Sequence, residues 1–193
     1  MIKDLILKNR SYRRFYEDEP ITQETMLSLV DLARLTASSA NLQPLRYLIS
    51  CDTAMNALIF PHLRWAGYLK DWRGPAVGER PAGYIFILLD TSVSKTSNCD
   101  HGIAGQSILL GAAEAGLGGC IIASIDHQAM VEVVGLAPQY EILLVLSLGR
   151  PKEQVVIETL APGGDVRYWR DGQGVHYVPK RRLEDIIVEP RRI

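Results

Sequence analysis

The chain is poor in cysteine: Cys51, Cys99 and Cys120 are the only three in 193 residues. The count is odd and no CxxC spacing occurs, which excludes a disulfide framework and a zinc site and leads us to expect a reducing, cytoplasmic setting. Long hydrophobic runs are also missing. Ile85–Leu89 and Ile142–Leu146 fall far short of the ~20 residues that span a bilayer, so no membrane partner is expected. Met1-Ile2-Lys3-Asp4 brings an acid at once and no long apolar stretch, so no secretory signal is expected. Neither charge dominates. Lys plus Arg number 21 against 22 Asp plus Glu, and a general nucleic-acid binder would need a basic excess. The common catalytic signatures are absent as well: no GxSxG, no P-loop, no HExxH, and no GxGxxG after a strand. His62, His101, His127 and His176 are scattered, and Asp71, Glu79, Asp90 and Asp100 form no defensible carboxylate pair. Metal-dependent and triad hydrolases therefore have no residues to stand on.

What remains is an ordinary globular balance, 47% apolar and 22% charged, in a chain long enough to bury about 70% of its unfolded surface. One domain over 1–193 is expected, with a core over about 1–150 and an arm over about 151–193. The charge is uneven. Residues 1–16 carry +4 (Lys3, Lys8, Arg10, Arg13 and Arg14 against Asp4). Residues 180–193 carry +2, leaving −7 between them. Two basic ends on an acidic body are either solvated termini or two halves of one anion site.

Met26, Leu29, Val30 and Ala33 recur at helical spacing, which predicts a helix over Thr22–Ala37 with Thr22 as its cap. Residues 38–44 read as a loop closed by Pro44. Tyr47–Cys51 reads as a strand, and Ala54–Lys70 as one helix broken at Pro61. Gly83–Asp90 is apolar on both faces, as a central strand is. His101–Ala115 reads as a helix rich in small residues and stopped by Gly116, packed on the sheet or at the heart of a dimer. Cys120–Ala123 and Ile142–Leu148 are further strands, and Asp126 caps a short helix ending at Gly135. Asp171-Gly172 signals a hairpin. The segment after Pro151 is too polar to make a core of its own and should run along another surface.

Arg10-Ser11-Tyr12-Arg13-Arg14-Phe15 resembles the N-terminal signature of the FMN-dependent nitroreductase family. Ser38-Ser39-Ala40-Asn41-Leu42-Gln43-Pro44 is similar to its second signature. Asp100–Gly118 resembles its central helix and glycine turn, Leu148-Gly149-Arg150-Pro151 the end of its core, and Pro179-Lys180-Arg181-Arg182-Leu183-Glu184-Asp185 its closing basic motif. The five occur in order over nearly the whole chain. Many members carry Arg, Pro and Trp where this chain has Asn9, Ala37 and Leu45.

The resemblance implies an α+β fold: a three-layer sandwich with a mostly antiparallel central sheet flanked by helices. It also implies an intertwined homodimer with C-terminal arm exchange. It implies bound FMN, with NADH or NADPH as electron donor and an electron-poor small molecule (nitroaromatic, quinone or similar) as acceptor, turned over by a ping-pong mechanism. By position, Arg10, Ser11 and Arg13 would grip the phosphate and the pyrimidine edge. Lys180 and Arg182 would complete the phosphate site. Ser38, Ser39, Asn41 and Gln43 would come from the other subunit. Ile121, Ile122 and Ala123 would lie along the isoalloxazine, with Gly118 and Gly119 permitting the approach. No residue is expected to act as a catalytic acid or base, since the flavin carries the chemistry. Some relatives instead dehalogenate, fragment the flavin or oxidise peptide-derived rings, and a flavin-binding protein without turnover is a further alternative. No local motif selects among these.

Overall fold

The structure, a computed structural model, describes residues 1–190. Arg191 and Arg192, part of the basic C-terminal end, lie outside the described residues.

Strand β2 (Gly83–Asp90) is buried along its whole length. Because side chains alternate across a strand, Ile85 and Ile87 enter one core, while Tyr84, Phe86 and Leu88 enter another. The first core is closed by α2 (Gln23–Arg34) and α4 (Asp100–Glu114), through Met26, Leu29, Ile108 and Ala112. The second is closed by α3 (Thr53–Ile59) and α5 (His127–Val134), through Ile59 and Met130. The result is the expected α+β sandwich: helices, sheet, helices. The sheet adds β1 (Leu45–Ser50), β3 (Gly118–Ile122) and β4 (Tyr140–Gly149) in the order β1-β2-β4-β3, every pairing antiparallel. A bulge beside Ile87/Leu88 skips Leu143 in the pairing. It reverses the alternation of β4, so Ile142 and Leu144 face opposite cores. A short helix, α1 (Ile2–Lys8), precedes the Arg10 motif.

The helix boundaries follow local chemistry. Thr22 accepts from the Thr25 N–H at 3.1 Å, Asp52 from Met55 at 2.8 Å and Asp126 from Ala129 at 3.3 Å. Gly135 closes α5 in the left-handed region at φ 61. The small residues of α4 serve packing inside the chain. Gly105 faces Ile87, Ile121 and Leu146, and a methyl group at Gly111 would lie 2.3 Å from Leu32 of α2.

The broken helix expected over Ala54–Lys70 is corrected: α3 stops at Ile59, and after one 3-10 turn over Phe60–His62 the chain is extended at Leu63. Residues 62–64 then pair with residues 124–126 through Leu63↔Ile125, Arg64 N–H to Ser124 O and Asp126 N–H to His62 O. Pro61 supplies no N–H, and bonds to a segment 62 residues onward in the chain replace those a helix would have made.

The tail makes a second, small sheet, with β5 (Val155–Thr159) parallel to β7 (His176–Lys180) and β6 (Trp169–Arg170) antiparallel to it. It lies against its own chain, with Phe15 bridging Pro151 and Lys152 N–H bonding Arg14 O. Beyond it, Leu183, Ile186, Ile187 and Val188 are exposed.

Candidate functional site

Strand β3 ends the sheet, and the Arg10 motif occupies part of its open edge. Ser11 bridges Gly119, and Tyr12 N–H donates to Gly119 O at 3.0 Å. Gly118 and Gly119 are demanded by contacts within the chain. A β-carbon at Gly118 would stand 2.4 Å from the Tyr12 ring, and one at Gly119 would stand 2.5 Å from Ser147 O and 2.7 Å from Leu109. The close approach is between parts of the chain itself. Gly119→Val is therefore expected to cost about 1–3 kcal/mol of folding stability by overpacking, seen as a lowered urea midpoint. A variant of wild-type stability would contradict this crowding.

A cleft of about 370 Å³ opens beside this edge, lined by Arg10, Ser11, Arg13 and Ile121 from the core and by Tyr168, His176 and Lys180 from the tail. Arg10 and Arg13 of the N-terminal basic end and Lys180 of the C-terminal one thus line a single cleft, and among the described residues no carboxylate lines it. Arg10 Nη2 donates to Ile6 O at 2.7 Å, while its buried Nε has no partner among the described residues. Burial pulls the Arg10 guanidinium below its ordinary pKa. Arg13 is 9% exposed. Its Nη1 donates to Ser11 O at 3.2 Å and lies 3.4 Å from His176 Nε2, with the Tyr168 ring 5.0 Å from the guanidinium carbon. Burial pushes the pKa of His176 down to about 4, and the charges of Arg13 and Arg170 add to that. Ile121 and Ala123 are exposed, whereas the Ile122 side chain is in the core, so only the main chain of Ile122 can face a ligand.

Behind this cleft sits Glu153, its side chain 1% exposed. It accepts from the backbone N–H groups of Arg13 and Arg14, and from Arg170 Nη2 at 2.8 Å. Arg170 also lies over the Trp72 ring at 4.7 Å. Arg14 turns away to a two-point pair with Glu79 at 2.5 and 2.7 Å, which lowers the Glu79 carboxyl pKa through its hydrogen bonds.

The Ser38 loop stands elsewhere. Ser38 Oγ donates to Asp100 at 2.6 Å, Ser39 N–H donates to the same carboxylate at 2.9 Å, and Gln43 N–H donates to Ser38 Oγ at 2.9 Å. Ala40, Asn41 and Gln43 all hold positive φ, at 49, 54 and 51, a costly conformation for residues other than glycine. Ser38 and Gln43 border a separate cleft of about 170 Å³ with Asp100 and Tyr47, and none of the four loop residues lines the cationic cleft. Arg182 is not in that cleft either: it pairs with Asp185 at 2.9 Å and Glu184 at 3.1 Å. Of the expected site residues, then, Arg10, Ser11, Arg13, Ile121 and Lys180 share one cleft. Tyr168, His176 and Glu153 were not singled out in the sequence. Tyr168 and His176 flank the expected hairpin turn, which placed no side chain against Arg13, and Glu153 carried no signal.

The model of the nitroreductase family matches residues 6–150. The chain belongs to that family. An iodotyrosine deiodinase of Thermotoga neapolitana is 25% identical to this family member over 172 residues, 79% of this chain and 90% of the relative. A nitroreductase family protein of Clostridium novyi NT superposes with a TM-score of 0.64 at 19% identity, over 79% of this chain and 87% of the other. An NADPH:FMN oxidoreductase of Vibrio harveyi, solved with NAD+, gives 0.61 at 23% identity over 78% and 69%. At these identities the structural likeness establishes the fold. Among the described residues no helix is long and apolar enough to cross a membrane.

Proposed function

We propose that this nitroreductase-family protein is an FMN-dependent oxidoreductase using NADH or NADPH to reduce an electron-poor small molecule such as a nitroaromatic or a quinone. The observation that carries the reading is the cleft holding Arg10, Arg13 and Lys180, where among the described residues no carboxylate lines the wall and one buried Arg10 N–H has no partner. Its volume falls in the ordinary range for small-ligand sites, about 300–1,000 Å³. Its charge suits a phosphate, and its exposed Ile121 suits the edge of a flat ring. The residues present therefore fit FMN.

Arg10 and Lys180 would hold the phosphate, with Ser11 beside them as a hydroxyl donor. Arg13 would place a positive charge at the pyrimidine edge. The main chain of Ile121, Ile122 and Ala123 would orient the ring and shield one side of it from water. Arg182 joins the phosphate site only by exchanging Asp185 for it. FMN, when bound, supplies hydride acceptance from the nicotinamide and electron delivery to the acceptor. We further assign residues 1–193 to one FMN-binding unit that works as a homodimer. The exposed Leu183, Ile186, Ile187 and Val188 support an arm seated on a second copy, and that copy would supply Ser38, Ser39, Asn41 and Gln43. A reducing, cytoplasmic setting suits the three free thiols.

The purified protein is expected to be yellow, to release FMN on denaturation, and to bleach under NADH or NADPH without oxygen. Colourless protein that takes up no added FMN would overturn the reading. The match to a deiodinase favours a second reading, reductive dehalogenation of a halogenated phenol. Iodide release from an iodophenol by the dithionite-reduced protein, with nitroaromatics untouched, would select it.

A further inference from the structure

His176 is 1% exposed, yet it lines the cationic cleft. Its Nε2 stands 3.4 Å from Arg13 Nη1, and a guanidinium can only donate. As a hydrogen bond this contact makes Nε2 the acceptor, and the neutral imidazole then carries its proton on Nδ1. That Nδ1 is buried and has no partner among the described residues. Tyr168 holds the other two members together: its ring centre is 5.0 Å from the Arg13 guanidinium carbon and 5.1 Å from the imidazole. Tyr168 is in turn braced by Tyr68, 4.9 Å away between ring centres. The depressed pKa of His176 keeps the ring neutral at physiological pH, so it presents a lone pair and not a second positive charge to Arg13.

We infer that His176, backed by Tyr168, is a positioning residue that holds the Arg13 guanidinium in one orientation at the cleft. The tail, and not the N-terminal loop alone, then decides where the polar edge of the ligand docks. Arg13 follows a loop and carries a long side chain, whose freedom would otherwise be lost on binding. A fixed acceptor and a fixed ring remove that freedom in advance. The inference rests on the flavin reading for the identity of the ligand, and on the geometry alone for the state of His176.

Two measurements test it. Nitrogen-15 NMR of the FMN-free protein at pH 7 should show His176 neutral and protonated on Nδ1. An Nε2-protonated ring or an imidazolium would overturn the inference whatever the cofactor is. FMN titration then compares His176→Gln, whose amide oxygen can stand near the Nε2 position, with His176→Asn, whose amide reaches only the Nδ1 position, and with His176→Phe. Gln should bind within about twofold of wild type, while Asn and Phe should bind about tenfold more weakly. Adding His176→Phe to Arg13→Ala should cause no further loss, because the two act as one unit. Equal binding by Phe and wild type, or losses that multiply, would refute the positioning role. If Phe fails to fold, the Gln–Asn pair decides. If the wild type binds no FMN, the flavin reading fails and the tautomer decides the role of His176.

Discussion

Glu153→Ala is expected to lower the unfolding free energy by about 3–5 kcal/mol, the range for breaking a buried ion pair from one side. Three donors lose their acceptor at once: the backbone N–H groups of Arg13 and Arg14, and the Arg170 guanidinium. Arg170 is only 14% exposed, so water cannot readily replace the carboxylate. Burial already draws its pKa down, against the pull of Glu153. Urea unfolding measures the loss. Limited proteolysis should show cuts between residues 151 and 180 before any in the core, because Glu153 joins the tail to the Arg13 turn. Glu153→Gln, which keeps the shape and an acceptor oxygen, should lose less. A loss below about 1 kcal/mol for Ala, the value of a surface pair, would show that the carboxylate is not a tie between tail and core.

Under the flavin reading, Lys180→Ala and Arg13→Ala should each weaken FMN binding by about ten- to hundredfold. That corresponds to one charge-assisted hydrogen bond of roughly 1.5–3 kcal/mol. The structure separates the two in a way that composition could not. Lys180 is exposed at the end of β7, so its loss should leave the thermal midpoint unchanged. Arg13 is buried and touches Ser11, His176 and Tyr168, so its removal should also loosen the tail. The double variant should lose more affinity than either single one, the largest effect expected at the cleft. Unchanged FMN affinity in Lys180→Ala would remove the tail from the phosphate site. Affinity losses that track unfolding in both variants would reduce the basic ends to a structural role.

Much of the sandwich was legible in the chain. Gly83–Asp90 reads as apolar on both faces because a strand with a core on each side needs no polar positions, and β2 has that place. Thr22 and Asp126 announce helix starts, and Gly116 and Gly135 helix ends, since capping is a contact between near neighbours. The polar tail was expected to run along another surface. Its surface is its own Arg13 turn, reached through Glu153, 140 residues away.

The cleft was legible only in outline. Two basic ends on an acidic body suggested a shared anion site, and Arg10, Arg13 and Lys180 do line one cleft. Nothing local marked His176, an unremarkable residue in a hairpin, as the neighbour of Arg13. Arg182 carries the same charge and the same motif as Lys180, yet Asp185 and Glu184 hold it elsewhere. The helix expected through Lys70 likewise had enough apolar residues, but its backbone bonds went to residues 124–126. Periodicity and caps record interactions within a few residues, and these the chain specifies alone. Which buried donor meets which acceptor depends on segments brought together from far apart, so Glu153, His176 and Tyr168 meet Arg13 only when the tail folds back onto the Arg13 turn.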